Sequence, residues 1–376
     1  MKPRDPTIIK LENAERIDRR QASTLLAEAP LLTLGDMAGQ IRLRLHPDPV
    51  VTYVVDRNIN YTNVCMSGCL FCAFYRDLDH PEAYVLSKAS LAQKIEETLK
   101  LGGTQILLQG GMHPDLSLDD HEAILRFIKN RFDIHIHGFS PPEIHYLAEK
   151  ENMTVATVID RLKTAGLGSI PGGGAEILVN RVRRRISPRK CTADQWLDVM
   201  RMAHLQGLRT TATMMFGHIE TPEDIIDHLL KIRTLQDETG GFTAFIPWTF
   251  QPGNTRIAVE PATSVEYLRV LALSRIVLDN IQNIQASWVT QGAKISQVAL
   301  AFGANDLGST MIEENVVAAA GVDFMLPKEE IIRLIENAGY IARQRDCFYN
   351  DLDQESQSMD QMGLINPHGN DGEKTR

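Results

Sequence analysis

Short apolar segments alternate with amphipathic helical segments from about residue 51 to residue 345, and this alternation restricts the possible folds more than any other feature. The apolar segments lie at residues 53–58, 105–109, 134–138, 168–170, 209–215, 243–248, 284–288 and 298–302. Eight strand–helix units over about 250 residues are typical of a closed (β/α)8 barrel. The sequence therefore predicts an α/β fold of the TIM-barrel type. An open doubly wound sheet is the alternative, disfavoured because no G-x-G-x-x-G follows the first strand.

The two ends of the chain lie outside this alternation. Residues 1–50 are predicted to form a helical extension outside the barrel at 51–345, and residues 346–376 a polar, partly disordered tail. With 39 Lys and Arg against 48 Asp and Glu, the net charge is −9, so no nucleic-acid partner is expected. The basic run at 181–185 is the local exception and is predicted to be a solvated helix face. No long apolar run or leader is seen, so we expect a cytoplasmic protein without a membrane partner.

Three of the five cysteines fall within eight residues, in the sequence Cys65-Met-Ser-Gly-Cys69-Leu-Phe-Cys72. This motif follows the first predicted strand, at the end of a barrel where active sites are built. Iron–sulfur clusters are held by thiolates, normally four, so three would leave one iron open to a further ligand. A zinc site using His80 and a redox pair of Cys69 and Cys72 are the alternatives, and neither explains the spacing. The sequence therefore predicts a [4Fe–4S] site, with the other two cysteines structural.

Further segments beside the predicted strands carry a family resemblance. They include Asn58-Ile-Asn-Tyr-Thr-Asn-Val, Leu107-Leu-Gln-Gly-Gly-Met, Ser140-Pro-Pro-Glu, Pro171-Gly-Gly-Gly-Ala-Glu and Phe245-Ile-Pro-Trp-Thr-Phe. Together with the cysteine motif, over roughly residues 50–345, they resemble the radical S-adenosylmethionine (SAM) superfamily and, within it, the cyclic dehypoxanthinylfutalosine synthases. The glycine-rich and Ser-Pro-Pro-Glu segments are shared with aminodeoxyfutalosine synthase and deazaflavin (FO) synthase, which remain alternatives.

The resemblance implies a C–C bond-forming radical SAM oxidoreductase of the futalosine pathway to menaquinone. A reduced [4Fe–4S] cluster would cleave SAM, and the 5′-deoxyadenosyl radical would take hydrogen from C4′ of dehypoxanthine futalosine. The substrate radical would close a ring on the benzoate, with loss of a proton and an electron. An electron donor such as a flavodoxin or ferredoxin is also implied. Among other classes, a zinc-dependent barrel hydrolase lacks convincing ligands, and an iron–sulfur carrier would not need a barrel.

The resemblance and the strand ends together indicate which residues would bind SAM. Gly110 and Gly111, after the second strand, allow close backbone approach. The carboxylate of Glu176 at the barrel mouth suits ribose hydroxyls or the SAM ammonium. Arg181 could pair with the SAM carboxylate. Ser140 could contact SAM and also cap a helix. The predicted SAM contacts are Phe71, Gln109, Gly110, Gly111, Ser140, Glu176 and Arg181.

Polar residues at the ends of the last predicted strands suit a sugar-bearing substrate. The predicted substrate contacts are His113, Thr249, Gln251, Thr290, Asn305 and Ser309. For His113, a structural role is an equal alternative. Asp306 is predicted to be the base that removes the ring proton. Trp248 and Trp288 could stack on the aromatic ring, and a core position is the alternative.

Overall fold

A computed structural model describes residues 15–322 and 324–352. The helices are α1 (Arg19–Glu28), α2 (Leu31–Leu45), α3 (Lys88–Lys100), α4 (Leu118–Lys129), α5 (Pro141–Lys150), α6 (Val155–Ala165), α7 (Asn180–Ile186), α8 (Ala193–Leu205), α9 (Pro222–Thr239), α10 (Ser264–Val277), α11 (Trp288–Ala299) and α12 (Lys328–Asn337). The strands are β1 (Val50–Val54), β2 (Asp56–Asn60), β3 (Gln105–Gln109), β4 (His135–Gly138), β5 (Ser169–Ile170), β6 (Arg209–Phe216), β7 (Phe242–Thr249), β8 (Asn283–Ile284), β9 (Asp306–Ser309) and β10 (Ile341–Gln344). Single 3-10 turns lie at Leu300–Phe302 and Ala318–Ala320.

Two parallel sheets build a barrel. Strands β2 to β8 lie side by side in chain order, and β10, β1 and β9 form a three-stranded sheet. Only Val55 separates β1 from β2, so one extended segment belongs to both sheets. Gln285, just after β8, bridges in parallel to Asp306 at the start of β9. The curled seven-stranded sheet is therefore closed through β9 and β1, and the predicted α/β barrel is confirmed.

The last two strands differ from their predicted positions. Of the strand predicted at 284–288, only Ile284 belongs to β8, and Trp288 already begins α11. The strand predicted at 298–302 is wrong, since these residues end α11 and form a 3-10 turn. Leu300 and Phe302 are buried, and a short apolar run cannot distinguish a buried helical turn from a strand. Strand β9 takes the eighth position instead.

The helices before the barrel pack on its outside. Arg269 of α10 donates from Nη1 to the carbonyl of Ala29 at 2.8 Å, and Arg233 of α9 donates to the carbonyl of Ile17 at 3.1 Å. Helices α1 and α2 therefore lie against α9 and α10, as expected for a helical extension. Residues 1–14 lie outside the described residues.

The segment at residues 345–350 forms a floor across the amino ends of the barrel strands. Arg345 pairs with Asp306 at the start of β9, and Cys347 contacts Ser169 at the start of β5. Cys347 is buried, so the first part of the predicted tail belongs to the barrel. The rest of that prediction, at 353–376, lies outside the described residues. No helix among residues 15–322 and 324–352 is long and apolar enough to cross a membrane.

Strand pleating decides which side chains face the barrel interior. Successive residues of a strand point to opposite faces. On β3, Ile106 and Leu108 are fully buried in the apolar core, whereas Gln105, Leu107 and Gln109 line an interior cavity. The strands therefore present an apolar outer face to the helices and a partly polar inner face to the cavity.

Candidate active site

A cavity of about 290 Å³ occupies the barrel interior. Its lining includes carboxylates, amides, hydroxyls and one imidazole: Asp56, Asn58, Gln105, Gln109, His137, Thr211, Thr213, Glu176, Ser309 and Glu314. Most barrels of this type fill their interior with branched apolar side chains. An open cavity with converging polar groups is instead typical of a site for a polar small molecule.

The three clustered cysteines lie on the loop between β2 and α3, at the carboxyl end of the barrel. Cys69 is buried, whereas Cys65 and Cys72 are partly exposed. Burial raises the pKa of Cys69 to about 11, and burial also raises the pKa of Cys72. The backbone N–H of Met112 points at Cys65 Sγ (3.4 Å), and the Ser67 hydroxyl lies 2.8 Å from Cys69 Sγ. Sulfur ligands of iron–sulfur clusters commonly have such hydrogen bonds, which adjust the cluster potential.

The donor set fits a multinuclear cluster. In the described part of the chain, no three His, Cys, Asp or Glu side chains are grouped so that they could hold a single metal ion. A cubane binds each thiolate at a separate iron corner, so thiols spaced along one loop suit it. Cys191 contacts the Arg183 guanidinium and Cys347 contacts Ser169. These two cysteines therefore have the structural surroundings that the sequence predicts.

Close backbone packing holds the cysteine loop in place. A Cβ at Gly111 would collide with the carbonyl of Val64 and would lie 2.7 Å from Cys65 Cβ. Arg256 donates from Nη2 to the carbonyl oxygen of Gly68 at 2.6 Å. The backbone N–H of Leu70 donates to the carbonyl of Ile186, at the end of α7, at 2.8 Å. The loop therefore rests on the segment after β3, on the segment after β7 and on α7.

A buried charge cluster adjoins the cysteines. Lys190 donates to Glu176 Oε1 at 2.7 Å, and its ammonium lies 5.2 Å from the centre of the Phe71 ring. Although burial lowers the pKa of Lys190, the charges of Glu176 and Cys69 raise it overall. Glu176 lines the cavity, and its Oε2 has no hydrogen-bond partner among the described residues. The Arg183 guanidinium lies 3.8 Å from this oxygen, so Glu176 is held between two cations at the end of the cavity.

Glu143 organises the segments on the other side of the cavity mouth. Its Oε1 accepts from the Tyr61 hydroxyl at 2.8 Å and from Gly110 N–H at 3.0 Å. Its Oε2 accepts from the backbone N–H and the hydroxyl of Ser140 at 2.7 and 2.6 Å. Burial raises the pKa of Glu143, against the lowering effect of these donors. The capping box predicted at Ser140 is present, and it also fixes the position of Gly110.

Three glycines bring the backbone after β5 close to this cluster. A Cβ on Gly172 would lie 2.7 Å from Ala212 Cα, and one on Gly173 would lie 2.5 Å from Gln109 Nε2. Gly174 adopts φ +78°, which L-residues rarely adopt. The structure thus brings Gln109, Ser140 and Glu176 to one end of the cavity. Their contact with SAM stays a prediction.

Two predicted substrate contacts, Thr290 and Ser309, line the cavity. Thr249 lies beside it and accepts from Gln251 at 3.0 Å and from Gln291 at 2.7 Å, so Thr249 and Gln251 bond to each other. His113 accepts from the backbone N–H of Asp115 at 3.1 Å, and burial lowers its pKa. That bond supports the structural alternative for His113, and its contact with the substrate stays a prediction.

The predictions for Asp306 and Asn305 are corrected by their position. Strand β9 begins at Asp306, which therefore lies at the floor and not at the mouth. Its carboxylate is fully buried and accepts from Arg345 Nε at 2.6 Å and from Thr52 at 2.5 Å. Asn305 accepts from Arg275 at 2.6 Å and donates to Asn283 at 2.8 Å. Both residues were predicted to follow the carboxyl end of the eighth strand, because that strand was predicted at residues 298–302. The strand in that position is β9, which begins only at Asp306.

Arg181 is also positioned away from the cavity. Its half-exposed guanidinium pairs with Asp224 in the first turn of α9. A bond to the SAM carboxylate would require this ion pair to open, so the largely enclosed Lys190, whose side chain is 14% exposed, is the better placed cation. Lys190 was missed because nothing in its local sequence separates it from the neighbouring surface arginines.

Sequence reasoning also missed several polar residues of the cavity, chiefly Asp56, Asn58, Gln105, His137 and Glu314. A usable signal was present for some of them. Asp56 and Asn58 alternate along β2, and His135 and His137 alternate along β4. Polar residues with a period of two inside an otherwise apolar strand indicate a polar inner face. Glu314 lies in a loop and has no such signal.

Two family models match the sequence. The radical SAM superfamily matches residues 59–232, and the CofH/MqnC C-terminal region matches residues 239–358. Cyclic dehypoxanthine futalosine synthase from Halalkalibacterium halodurans is 46% identical, covering 92% of this chain and 94% of the relative. The enzyme of that name from Streptomyces coelicolor is 41% identical, covering 92% and 88%. A 5-amino-6-(D-ribitylamino)uracil–L-tyrosine 4-hydroxyphenyl transferase from Archaeoglobus fulgidus is 44% identical, covering 84% and 93%.

Two solved structures share the fold of this chain. The hydrogenase maturase HydG from Carboxydothermus hydrogenoformans gives a TM-score of 0.71 at 16% identity, covering 91% of this chain and 80% of that chain. Methylornithine synthase gives 0.70 at 18% identity, covering 93% and 99%. These likenesses support the barrel architecture alone.

Proposed function

Because this chain belongs to the CofH/MqnC family of radical SAM enzymes, we propose that it converts dehypoxanthine futalosine to its cyclic product in the futalosine pathway to menaquinone. The observation that carries this assignment is the 46% identity to a cyclic dehypoxanthine futalosine synthase over 92% of the chain. The polar cavity inside the barrel supports it, because the substrate carries a sugar that needs hydrogen-bonding partners.

The cofactors of this superfamily are a [4Fe–4S] cluster and SAM. We propose that Cys65, Cys69 and Cys72 bind the cluster. The chemistry that it supplies when bound is reductive cleavage of SAM to a 5′-deoxyadenosyl radical. Gln109 and Glu176 lie at the cysteine end of the cavity and are the proposed SAM contacts, with Phe71 beside them.

The barrel residues bind the substrate and exclude water from the reacting radical. Thr290 and Ser309 line the cavity and supply hydroxyls for the sugar. Trp248 and Trp288 also line it, and Trp288 donates from Nε1 to the carbonyl of Ser309 at 2.9 Å. Their rings offer apolar faces for the substrate's aromatic ring. The floor closes the far end, so radical chemistry takes place away from bulk solvent.

The proposed partner is a one-electron carrier protein such as a flavodoxin or ferredoxin. Arg184 and Arg185 on α7 are exposed and have no ion-pair partner within the described part of the chain. The end of α7 bonds to the cysteine loop, so these charges lie next to the proposed cluster site. A basic patch attracts an acidic carrier to a protein whose net charge is −9. All five cysteines are free thiols, which supports a cytoplasmic location.

The test is anaerobic incubation of reconstituted, reduced protein with SAM and dehypoxanthine futalosine, followed by mass spectrometry. We expect the cyclised product together with 5′-deoxyadenosine. Protein that carries a full cluster and forms 5′-deoxyadenosine but no cyclised product would contradict the substrate assignment. Protein that forms neither would contradict the radical mechanism.

The 44% identity to the 4-hydroxyphenyl transferase supports a second candidate activity. Parallel incubations with tyrosine and 5-amino-6-(D-ribitylamino)uracil distinguish the two candidates. We expect no aryl transfer with this pair. Transfer in the absence of cyclisation would place the chain with the transferases of its family.

A further inference from the structure

We propose that His137, Ser169 and His135 form a proton relay from the barrel cavity to the outer side of the floor, in which His137 accepts the proton that the substrate ring loses. The inference rests on the proposed cyclase function. It replaces the base that the sequence suggested at Asp306, whose carboxylate is held by Arg345 and Thr52.

The three residues form a continuous hydrogen-bonded row across two neighbouring strands. His137 Nδ1 lies 2.6 Å from Ser169 Oγ, and His135 Nε2 lies 2.7 Å from the same oxygen. His137 lines the cavity, whereas His135 is only half buried. The row therefore begins inside the barrel and ends near solvent.

Counting donors limits the proton arrangements that the row can adopt. Cys347 Sγ lies 3.2 Å from Ser169 Oγ, and burial raises the pKa of Cys347 to about 12, so it is a thiol and can donate. A serine hydroxyl has one hydrogen and two acceptor lone pairs. Cys347 occupies one lone pair, which leaves one imidazole to donate to Ser169 and the other to accept from it. The contacts are satisfied with either imidazole as the donor. The arrangement with His137 as donor and His135 as acceptor is the one that leaves the lone pair of His137 Nε2 free to take a proton from the cavity.

Both imidazoles are in the form that a relay needs. Burial lowers the pKa of His137 to about 3 and that of His135 to about 4, so both are neutral at physiological pH. No hydrogen bond joins His137 Nε2 to any residue that the structure describes, and Nε2 is not a fully enclosed atom. A neutral ring with Nδ1 protonated has its lone pair on Nε2, which faces the cavity. An imidazolium would be disfavoured there, so the proton passes on to Ser169 and His135.

The reaction requires such an exit. Closing one C–C bond within the substrate removes two hydrogens. One leaves as an atom to the 5′-deoxyadenosyl radical. The other leaves as a proton, and the accompanying electron goes to a one-electron acceptor of the iron–sulfur class. In the relay, the proton binds His137 Nε2, the Nδ1 proton moves to Ser169, the hydroxyl proton moves to His135 Nε2, and His135 releases its Nδ1 proton to solvent.

The cavity carboxylates are less suited to take this proton. The two oxygens of Asp56 accept from Ser309 and Gln105. Glu314 accepts three backbone N–H groups of its own loop. Glu176 is paired with Lys190 at the cysteine end. His137 is the cavity base that also has a hydrogen-bonded path outward.

The experiment measures how the enzyme partitions between radical formation and product. His137→Gln and Ser169→Ala are incubated anaerobically with SAM and substrate deuterated at C4′. We expect deuterium to appear in 5′-deoxyadenosine as in the unmodified protein, while cyclised product falls by about 10²-fold in the first variant and less in the second. Product that falls only in proportion to deuterated 5′-deoxyadenosine would overturn the proposal.

A matched control is available in His204→Gln. His204 also bridges two hydroxyls, Thr239 at 2.6 Å and Thr210 at 2.7 Å, and burial lowers its pKa to about 4. His204 lies on α8, away from the cavity. The ratio of cyclised product to deuterated 5′-deoxyadenosine in His204→Gln should therefore match that of the unmodified protein. If the unmodified protein forms no cyclised product, the cyclase assignment fails and the relay fails with it. If the unmodified protein forms cyclised product and His137→Gln keeps the same ratio of product to deuterated 5′-deoxyadenosine, the relay is contradicted and the cyclase assignment stands.

Nitrogen NMR of the holoenzyme labelled with ¹⁵N-histidine provides a second readout that does not depend on turnover. We expect neutral rings at pH 7, with the proton on Nδ1 in both His137 and His135. A proton on Nε2 of His137 would contradict the direction of the relay. The signals that shift in Ser169→Ala belong to this pair of rings, and the one that is lost in His137→Gln is that of His137.

Discussion

Gly111 is the residue at which one added methyl group should most directly disturb the cysteine loop. Its Cβ would collide with Val64 and would lie 2.7 Å from Cys65 Cβ. Overpacking of this kind costs about 1–3 kcal/mol, and here the strain falls on a proposed cluster ligand. We expect Gly111→Ala to bind clearly less iron and sulfide after anaerobic reconstitution. Gly39→Ala, where the added carbon meets only Ala301 O at 3.7 Å, is the control and should bind the cluster normally.

Glu143 is the carboxylate at the cavity mouth whose two oxygens together accept four hydrogen bonds. In Glu143→Gln, one acceptor oxygen becomes an amide donor, so two of its four donors lose their partner. We expect a loss of about 2–3 kcal/mol in the free energy of unfolding, because buried groups left unpaired are costly. Urea unfolding measures this. Glu266 fills the same capping-box position on α10 but is exposed, so Glu266→Gln should cost less than about 0.5 kcal/mol. Equal losses in both variants would contradict the role assigned to Glu143.

At the scale of elements, α7 connects the surface charge to the cysteine loop. Its side chains divide by helical spacing, with Val182 and Ile186 buried and Arg184 and Arg185 exposed. We expect Arg184→Glu with Arg185→Glu to slow reduction of the cluster by a reduced flavodoxin about tenfold or more at low salt, and less at high salt. The rate is followed by the loss of cluster absorbance.

Two comparisons make this test specific. Reduction of the same variant by dithionite should be unchanged, because a small reagent does not need the basic face. Arg20→Glu with Lys100→Glu reverses two exposed charges on α1 and α3 and should leave the flavodoxin rate unchanged. Equal slowing in both double variants would indicate an effect of net charge and would contradict docking at α7.

The elements also show what the sequence could predict. The cysteine motif and the capping box at Ser140 were predictable because their residues are within a few positions of each other. Strand β9 was not, because its pairing joins Thr52 to Asp306 across the whole barrel. The floor was missed for the same reason. It forms from a polar segment whose partners, Ser169 and Asp306, are distant in the chain. The relay likewise depends on contacts between β4, β5 and the floor, which are distant from one another in the chain.

For the whole molecule, the ion pair of Arg345 and Asp306 joins the floor to the strand that closes the barrel. Both side chains are buried, with Nε–Oδ2 and Nη2–Oδ1 distances of 2.6 and 2.9 Å. Although burial lowers the pKa of Arg345, the charge of Asp306 raises it overall, so the guanidinium stays charged. Removing one partner of such a pair leaves an uncompensated buried charge, which costs about 3–5 kcal/mol.

We therefore expect Arg345→Met to lose about 3–5 kcal/mol in the free energy of unfolding, measured by urea denaturation. The double variant with Asp306→Asn should recover at least about 1 kcal/mol of that loss, because the remaining amide carries no charge and can still bond to Thr52. If the two substitutions were additive, the pair would not couple floor and barrel, and the stability of the closed barrel would have to come from the apolar core around β1 and β9. Coupling of the expected size instead makes the floor part of the barrel's folding unit, since the segment at 345–350 then cannot detach without leaving a charge buried beside β9.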